Sequence, residues 1–144
     1  MARMFPELSQ HAVGEIPSHA EQEVYCALRD QLSDDYLVLH SLDLIGTTHA
    51  AGKRDLEADF VIFSKEHGFL VIEVKGGGIE YNPNTGLWFS IDRNNHQHTI
   101  KDPLRQSKTA KHEVLRHLTD KRWWPNGNRP RLLAAHAALF PDLQ

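Results

Sequence analysis

The sequence predicts an α/β domain, a mixed central β-sheet flanked by helices. Two short runs, 58–63 and 69–75, are rich in β-branched and aromatic residues on both alternating faces, as buried strands require. Two segments with helical periodicity, 18–32 and 103–118, lie on either side of them in the chain. With 144 residues, 40% hydrophobic and 24% charged, the chain suits one domain around one core.

Residues 1–17 read as an N-terminal arm, interrupted by Pro6, Gly14 and Pro17 and without periodicity, so the domain proper is taken as 18–144. Ser18 is a natural N-cap, and Ala20, Val24, Leu28 and Leu32 then recur at helical spacing. Ser33, Asp34 and Asp35 stop this helix. Residues 36–44 (YLVLHSLDL) read as a strand, and 46–56 as a polar loop. Gly76, Gly77 and Gly78 end the strand 69–75. A β-hairpin is expected next, 87–91 and 96–100 around the turn-prone Asp92 to Asn95. Asp102 and Pro103 are a cap and first helical residue, and this helix runs to Leu118 with Leu104, Val114, Leu115 and Leu118 inward. A loop over 125–130 precedes a last strand, 131–140.

The single cysteine, Cys26, rules out an internal disulfide and suits a reducing cytoplasm. No run approaches the roughly 18 apolar residues of a membrane span, and the first residues lack a signal-peptide core. The net charge of −3 conceals an asymmetry. Residues 1–92 hold 6 Lys/Arg against 15 Asp/Glu, whereas 93–131 hold 10 against 3. A basic segment of that kind can contact phosphate; it can equally be a solvated face.

The chemistry concentrates on the two strong strands. Paired as an antiparallel hairpin whose partners sum to 132, they set Asp59 opposite Glu73, Val61 opposite Val71 and Phe63 opposite Phe69. Asp59, Glu73 and Lys75 then share one face. Two carboxylates inside a sheet repel each other and lose hydration, a cost of several kcal/mol each unless something compensates. A divalent cation with hard oxygen ligands resolves the conflict. Asp59 and Glu73 would hold Mg²⁺ or Mn²⁺, with the Val74 carbonyl as a further ligand. Lys75 would orient the attacking water and offset charge on a phosphate. The structural alternative is a buried ion pair, Lys75 bridging two carboxylates.

Asp59 followed by Glu73-Val74-Lys75 resembles the D…(D/E)xK signature of restriction-endonuclease-like nucleases. The local wording is similar to the nuclease-related domain family. Its carriers are Ala20-Glu21-Gln22-Glu23-Val24, Glu57-Ala58-Asp59-Phe60-Val61, Gly68 to Gly77, Gly86-Leu87-Trp88, Lys101 to Gln106 and Phe140-Pro141-Asp142. The resemblance implies a restriction-endonuclease-like core (αβββαβ) with an inserted β-hairpin. It implies a metal-dependent nuclease acting on DNA, often bacterial and often joined to a helicase module; the rival is a non-catalytic DNA-binding or docking module of such a protein. It further implies that Glu21 reaches the metal and that Gln106 sits beside it. Ser18-His19-Ala20-Glu21 is also a capping box, which ties Glu21 to the helix start instead. On the second helix Arg105, Lys108, His112 and Arg116 form one basic face suited to a phosphate backbone.

Other features are set aside. The histidines lack the cysteine cluster and spacing of a zinc site, and Cys26 reads as packing. Trp123 and Trp124 precede a proline and read as packing beneath the last strand. Gly76 to Gly78 lacks the lysine of a nucleotide-binding loop, so no ATP site is expected.

Overall fold

The structure, a computed structural model, describes residues 1–46, 54–120, 122, 124, 127 and 131–143. In chain order the elements are β1 (Arg3–Phe5), α1 (Gln10–Gly14), α2 (His19–Gln31), β2 (Tyr36–Gly46), β3 (Arg54–Ser64), β4 (Gly68–Val74), β5 (Gly78–Asn82), β6 (Leu87–Ile91), β7 (Gln97–Ile100), α3 (Pro103–Leu118) and β8 (Ala134–Leu139). A five-stranded sheet has the order β1-β2-β3-β4-β8. It is mixed: the central pairs are antiparallel, whereas β1 runs parallel to β2 and β8 parallel to β4.

The helix starts follow from local chemistry. Ser18 Oγ accepts from the Glu21 N–H, and Asp102 accepts from the Arg105 N–H with Pro103 in the first turn of α3. The β3–β4 ladder has the register expected, Phe60↔Ile72 through Ser64↔Gly68. Gly68 closes that hairpin at φ +80°, and a Cβ there would meet the Leu133 carbonyl oxygen at 2.0 Å. No other residue fits where β8 approaches so closely.

Two apolar clusters sandwich the sheet. On one side Ala20, Val24 and Tyr25 of α2 pack on Val38, Phe60, Ile72 and Val74. On the other, Ala110 and Val114 of α3 pack on Ala58, Val61, Phe69 and Val71. Cys26 packs against the α2 cluster, as expected.

Five readings are corrected. The arm 1–17 is integrated: β1 joins the sheet, and Ala2, Met4, Val13 and Ile16 are buried in the α2 cluster. The expected hairpin is a three-stranded antiparallel sheet, β5-β6-β7, because Gly78–Asn82 pairs with β6. Of the expected inner stripe of α3, Val114, Leu115 and Leu118 do meet the core, but Leu104 is 45% exposed, and the first turns are seated instead through Pro103, Ser107 and Ala110. Small residues there let the helix lie close to the strands. The last strand is shorter, Ala134–Leu139. The expected loop 46–56 is narrower, since Gly46 closes β2 and Arg54 to Leu56 open β3; its residues 47–53, Trp123 and most of the loop 125–130 lie outside the described residues. Trp124 donates its indole N–H to the Leu118 carbonyl.

Candidate active site

Asp59 sits where the central sheet changes character. The β2–β3 ladder passes from His40↔Phe60 to Leu42↔Ala58, and the β3–β4 ladder ends at Phe60↔Ile72, so Asp59 belongs to neither ladder. Across from it Ser41 has φ +54°, a left-handed conformation uncommon outside glycine. Alternation inverts there. His40 and Phe60 pack together on the α2 side, whereas Leu42, Leu44, Leu56 and Ala58 join the α3 cluster. A kink of this kind re-aims a side chain. It turns Asp59 into the gap between β3 and β4, where one carboxylate oxygen accepts from the Val74 N–H at 2.7 Å in place of a backbone partner.

Glu73 is 4% exposed, near the end of β4. Lys75, just past that end, donates Nζ to Glu73 Oε1 at 2.6 Å. These side chains line an open cleft of about 840 Å³, together with Leu56, Glu57, Lys101, Asp102, Arg105, Gln106 and Thr109. The predicted convergence of Asp59, Glu73 and Lys75 is therefore found, with Gln106 and Arg105 from the first turns of α3 facing them.

The electrostatics are those of two acids in a dry corner. Burial pushes the Asp59 carboxyl up to about 7; the Val74 N–H opposes this, while the Glu73 and Glu21 charges add to it. Burial also raises Glu73, against the hydrogen bond and charge of Lys75. Gln106 Oε1 is buried and has no hydrogen-bond donor among the described residues. A buried orphan acceptor beside two strained carboxylates marks a place where a polar partner belongs.

The Glu21 carboxylate lies 3.4 Å from Nε2 of His40, and its charge acts on both Asp59 and Glu73. His40, 8% exposed, is held edge-on by Tyr25 and tilted over Phe60. Of the basic face, Arg105 reaches the cleft. Lys108 and His112 are exposed and, with Lys111, their charges bear on His136 of β8. Arg116 is exposed and pairs with Glu113 at 2.8 Å. Among the described residues, three ligand atoms of His, Cys, Asp or Glu within 4.8 Å of one another occur at His19, Glu23 and Asp142, all exposed.

Residues 16–136 match the nuclease-related domain family. The chain belongs to that family. No curated protein and no solved structure matches the chain. The match thus runs from just before α2 to the middle of β8. It stops short of Asp142, whose carboxylate accepts the Gly77 N–H and pins the loop that follows Lys75.

Three residues of this nuclease-related domain escaped the reading of the sequence. Lys101 and Thr109 stand on the cleft wall. Thr109 is one turn from Arg105, so helical spacing from Arg105 would have found it. Lys101 precedes the α3 cap and has no such signal. His40 is a polar residue on the apolar face of a strand, which is the signal for a buried polar contact.

Proposed function

We propose that this nuclease-related domain hydrolyses phosphodiester bonds in DNA with Mg²⁺ or Mn²⁺, on a restriction-endonuclease-like αβββαβ core. The observation that carries the reading is the meeting of Asp59, Glu73 and Lys75 in one cleft beneath Gln106. The donor set fits a hard cation. Asp59 keeps one oxygen free of the Val74 N–H, and Glu73 keeps one free of Lys75. In a strand the N–H and C=O of one residue point to the same side, so the Val74 carbonyl also faces the Asp59 gap. A bound cation supplies an activated water and polarises a phosphoryl oxygen.

The chain's own groups do the rest. Lys75, 26% exposed at its side chain, reaches from the buried Glu73 to the open cleft, where it orients the water and meets the phosphate. Gln106 Oε1 accepts a proton-bearing partner at the cleft roof. Lys101 and Arg105 hold the flanking phosphates, and Lys108, His112 and Arg116 extend the track along α3. Glu21, held 3.4 Å from His40 Nε2, adds its negative charge to the carboxylate pair and is the further acidic residue that would reach the metal. A helicase module, in cis or in trans, is the partner that the resemblance to the nuclease-related domain family implies.

The deciding experiment is cleavage of single- and double-stranded DNA by the purified chain in Mg²⁺ or Mn²⁺, against Glu73→Ala and Lys75→Ala. The wild type cuts, and each variant loses at least about 100-fold with its circular dichroism retained. A wild type that cuts no nucleic acid yet binds DNA with a steep salt dependence would instead be a non-catalytic binding module.

A further inference from the structure

We propose that His40 is a positioning residue for the metal site, holding the Glu21 carboxylate in place as a ligand beside Asp59 and Glu73. The proposal rests on the metal-dependent reading and adds to it the residue that fixes one of its acids.

Glu21 is the third residue of α2, where a capping box turns a glutamate back to the N–H of the cap residue. Half of that box is present, since Ser18 Oγ accepts from the Glu21 N–H at 3.3 Å. Among the described residues no hydrogen bond closes the other half, and Glu21 Oε2 lies 3.4 Å from His40 Nε2. An ionised carboxylate only accepts, so Nε2 carries the hydrogen between them.

The histidine is itself firmly held. Tyr25 meets its ring edge-on at 5.5 Å between centroids, and Phe60 lies tilted against it at 4.8 Å. Tyr25 is fully buried and tied at its far end, where its hydroxyl accepts the Leu8 N–H and donates to the Pro6 carbonyl. The backbone brings this ring next to the site. His40 directly precedes Ser41, the left-handed residue at the kink, and its ladder partner Phe60 directly follows Asp59. The kink that releases Asp59 from both ladders therefore also ends the stretch in which His40 faces α2.

Glu21 needs such a hold. Its side chain is 23% exposed, and its charge repels those of Asp59 and Glu73. Without a donor it turns to solvent, away from the pair. Carboxylates that ligate a metal are themselves oriented by hydrogen bonds from outside the ligand shell, and losing such a partner costs about 10–100-fold in metal affinity.

The test is calorimetric titration of Mn²⁺ into the full DNA-free chain. Glu21→Ala and His40→Phe should each weaken binding about tenfold. Phenylalanine keeps a ring between Tyr25 and Phe60, and His40→Asn, polar but too short to reach Glu21, should lose as much. His40→Gln, which keeps an N–H donor near the place of Nε2, should stay within about threefold of wild type. The double variant Glu21→Ala/His40→Phe should bind no more weakly than Glu21→Ala alone, because His40 acts through Glu21. The proposal is overturned by a wild type that takes up no Mn²⁺, by unchanged affinity in Glu21→Ala, or by unchanged affinity in both His40→Phe and His40→Asn. A His40→Gln loss as large as that of His40→Phe, or single losses that multiply in the double variant, reduces His40 to a structural residue and overturns it equally. Cleavage in Mn²⁺ scores hydrolysis separately. Cutting without these losses removes the positioning role alone, and the losses without cutting remove the nuclease alone.

Discussion

Asp59 shows how one residue carries the tension of the site. Its folded-state value, about 7, lies above the ordinary 3.8, so the native state holds the proton more tightly than the unfolded chain does. Stability without metal therefore falls as pH rises from about 4 to about 7 and then levels off. Asn in its place keeps an acceptor for the Val74 N–H and removes the charge. We expect Asp59→Asn to be more stable than wild type in EDTA at pH 8, by on the order of 2 kcal/mol, and to show no gain at pH 4. Thermal denaturation at the two pH values checks this, and a variant less stable at pH 8 contradicts it. Asp59, Glu73 and Lys75 were legible in the sequence because strand alternation and a short hairpin register are local rules. The Ser41 kink that detaches Asp59 from both ladders was not, since nothing in the run YLVLHSLDL announces a left-handed serine. The Glu21–His40 contact was hidden for a related reason: it depends on how α2 lies across β2.

At the scale of elements, the divide between legible and hidden follows the range of the forces. Both long helices begin at the residues their caps predict, because an N-cap bond spans three residues. β1 and β5 escaped notice. Arg3–Phe5 is three residues long and exists through its pairing with Leu37 to Leu39, far along the chain. Gly78–Asn82 follows a glycine run and owes its extension to β6. On α3 the reading held for Val114, Leu115 and Leu118 and failed in the first turns, where Leu104 looked like core but the helix is seated through Ser107 and Ala110, 0% and 1% exposed. Two substitutions separate these readings. Ala110→Leu overfills the contact between α3 and the sheet and should cost about 1–3 kcal/mol. Leu104→Ala should cost less than about 0.5 kcal/mol, as surface changes do. Urea denaturation of both variants measures the difference, and a larger loss for Leu104→Ala would restore the original stripe.

For the whole molecule, the sheet acts as a partition. Apolar clusters hold α2 on one face and α3 on the other, and the charged groups collect where β3 and β4 part. The N-terminal segment belongs to this frame, since Ala2, Met4, Val13 and Ile16 complete the α2 cluster. Deleting residues 1–17 should lower stability by roughly 3 kcal/mol or more, given about 25 cal/mol per Å² of apolar surface exposed. Denaturant midpoints read this directly, and an unchanged midpoint would return the segment to the status of an arm. The partition also gives the account its sharpest test, because a cleft built around two reluctant carboxylates should take up a divalent cation before any DNA is present. Calorimetric titration of Mn²⁺ into the DNA-free chain at pH 7.5 should show one site that vanishes in Asp59→Ala and in Glu73→Ala. Binding that survives in both variants, or no binding by the wild type, would contradict the claim that these acids form a metal site.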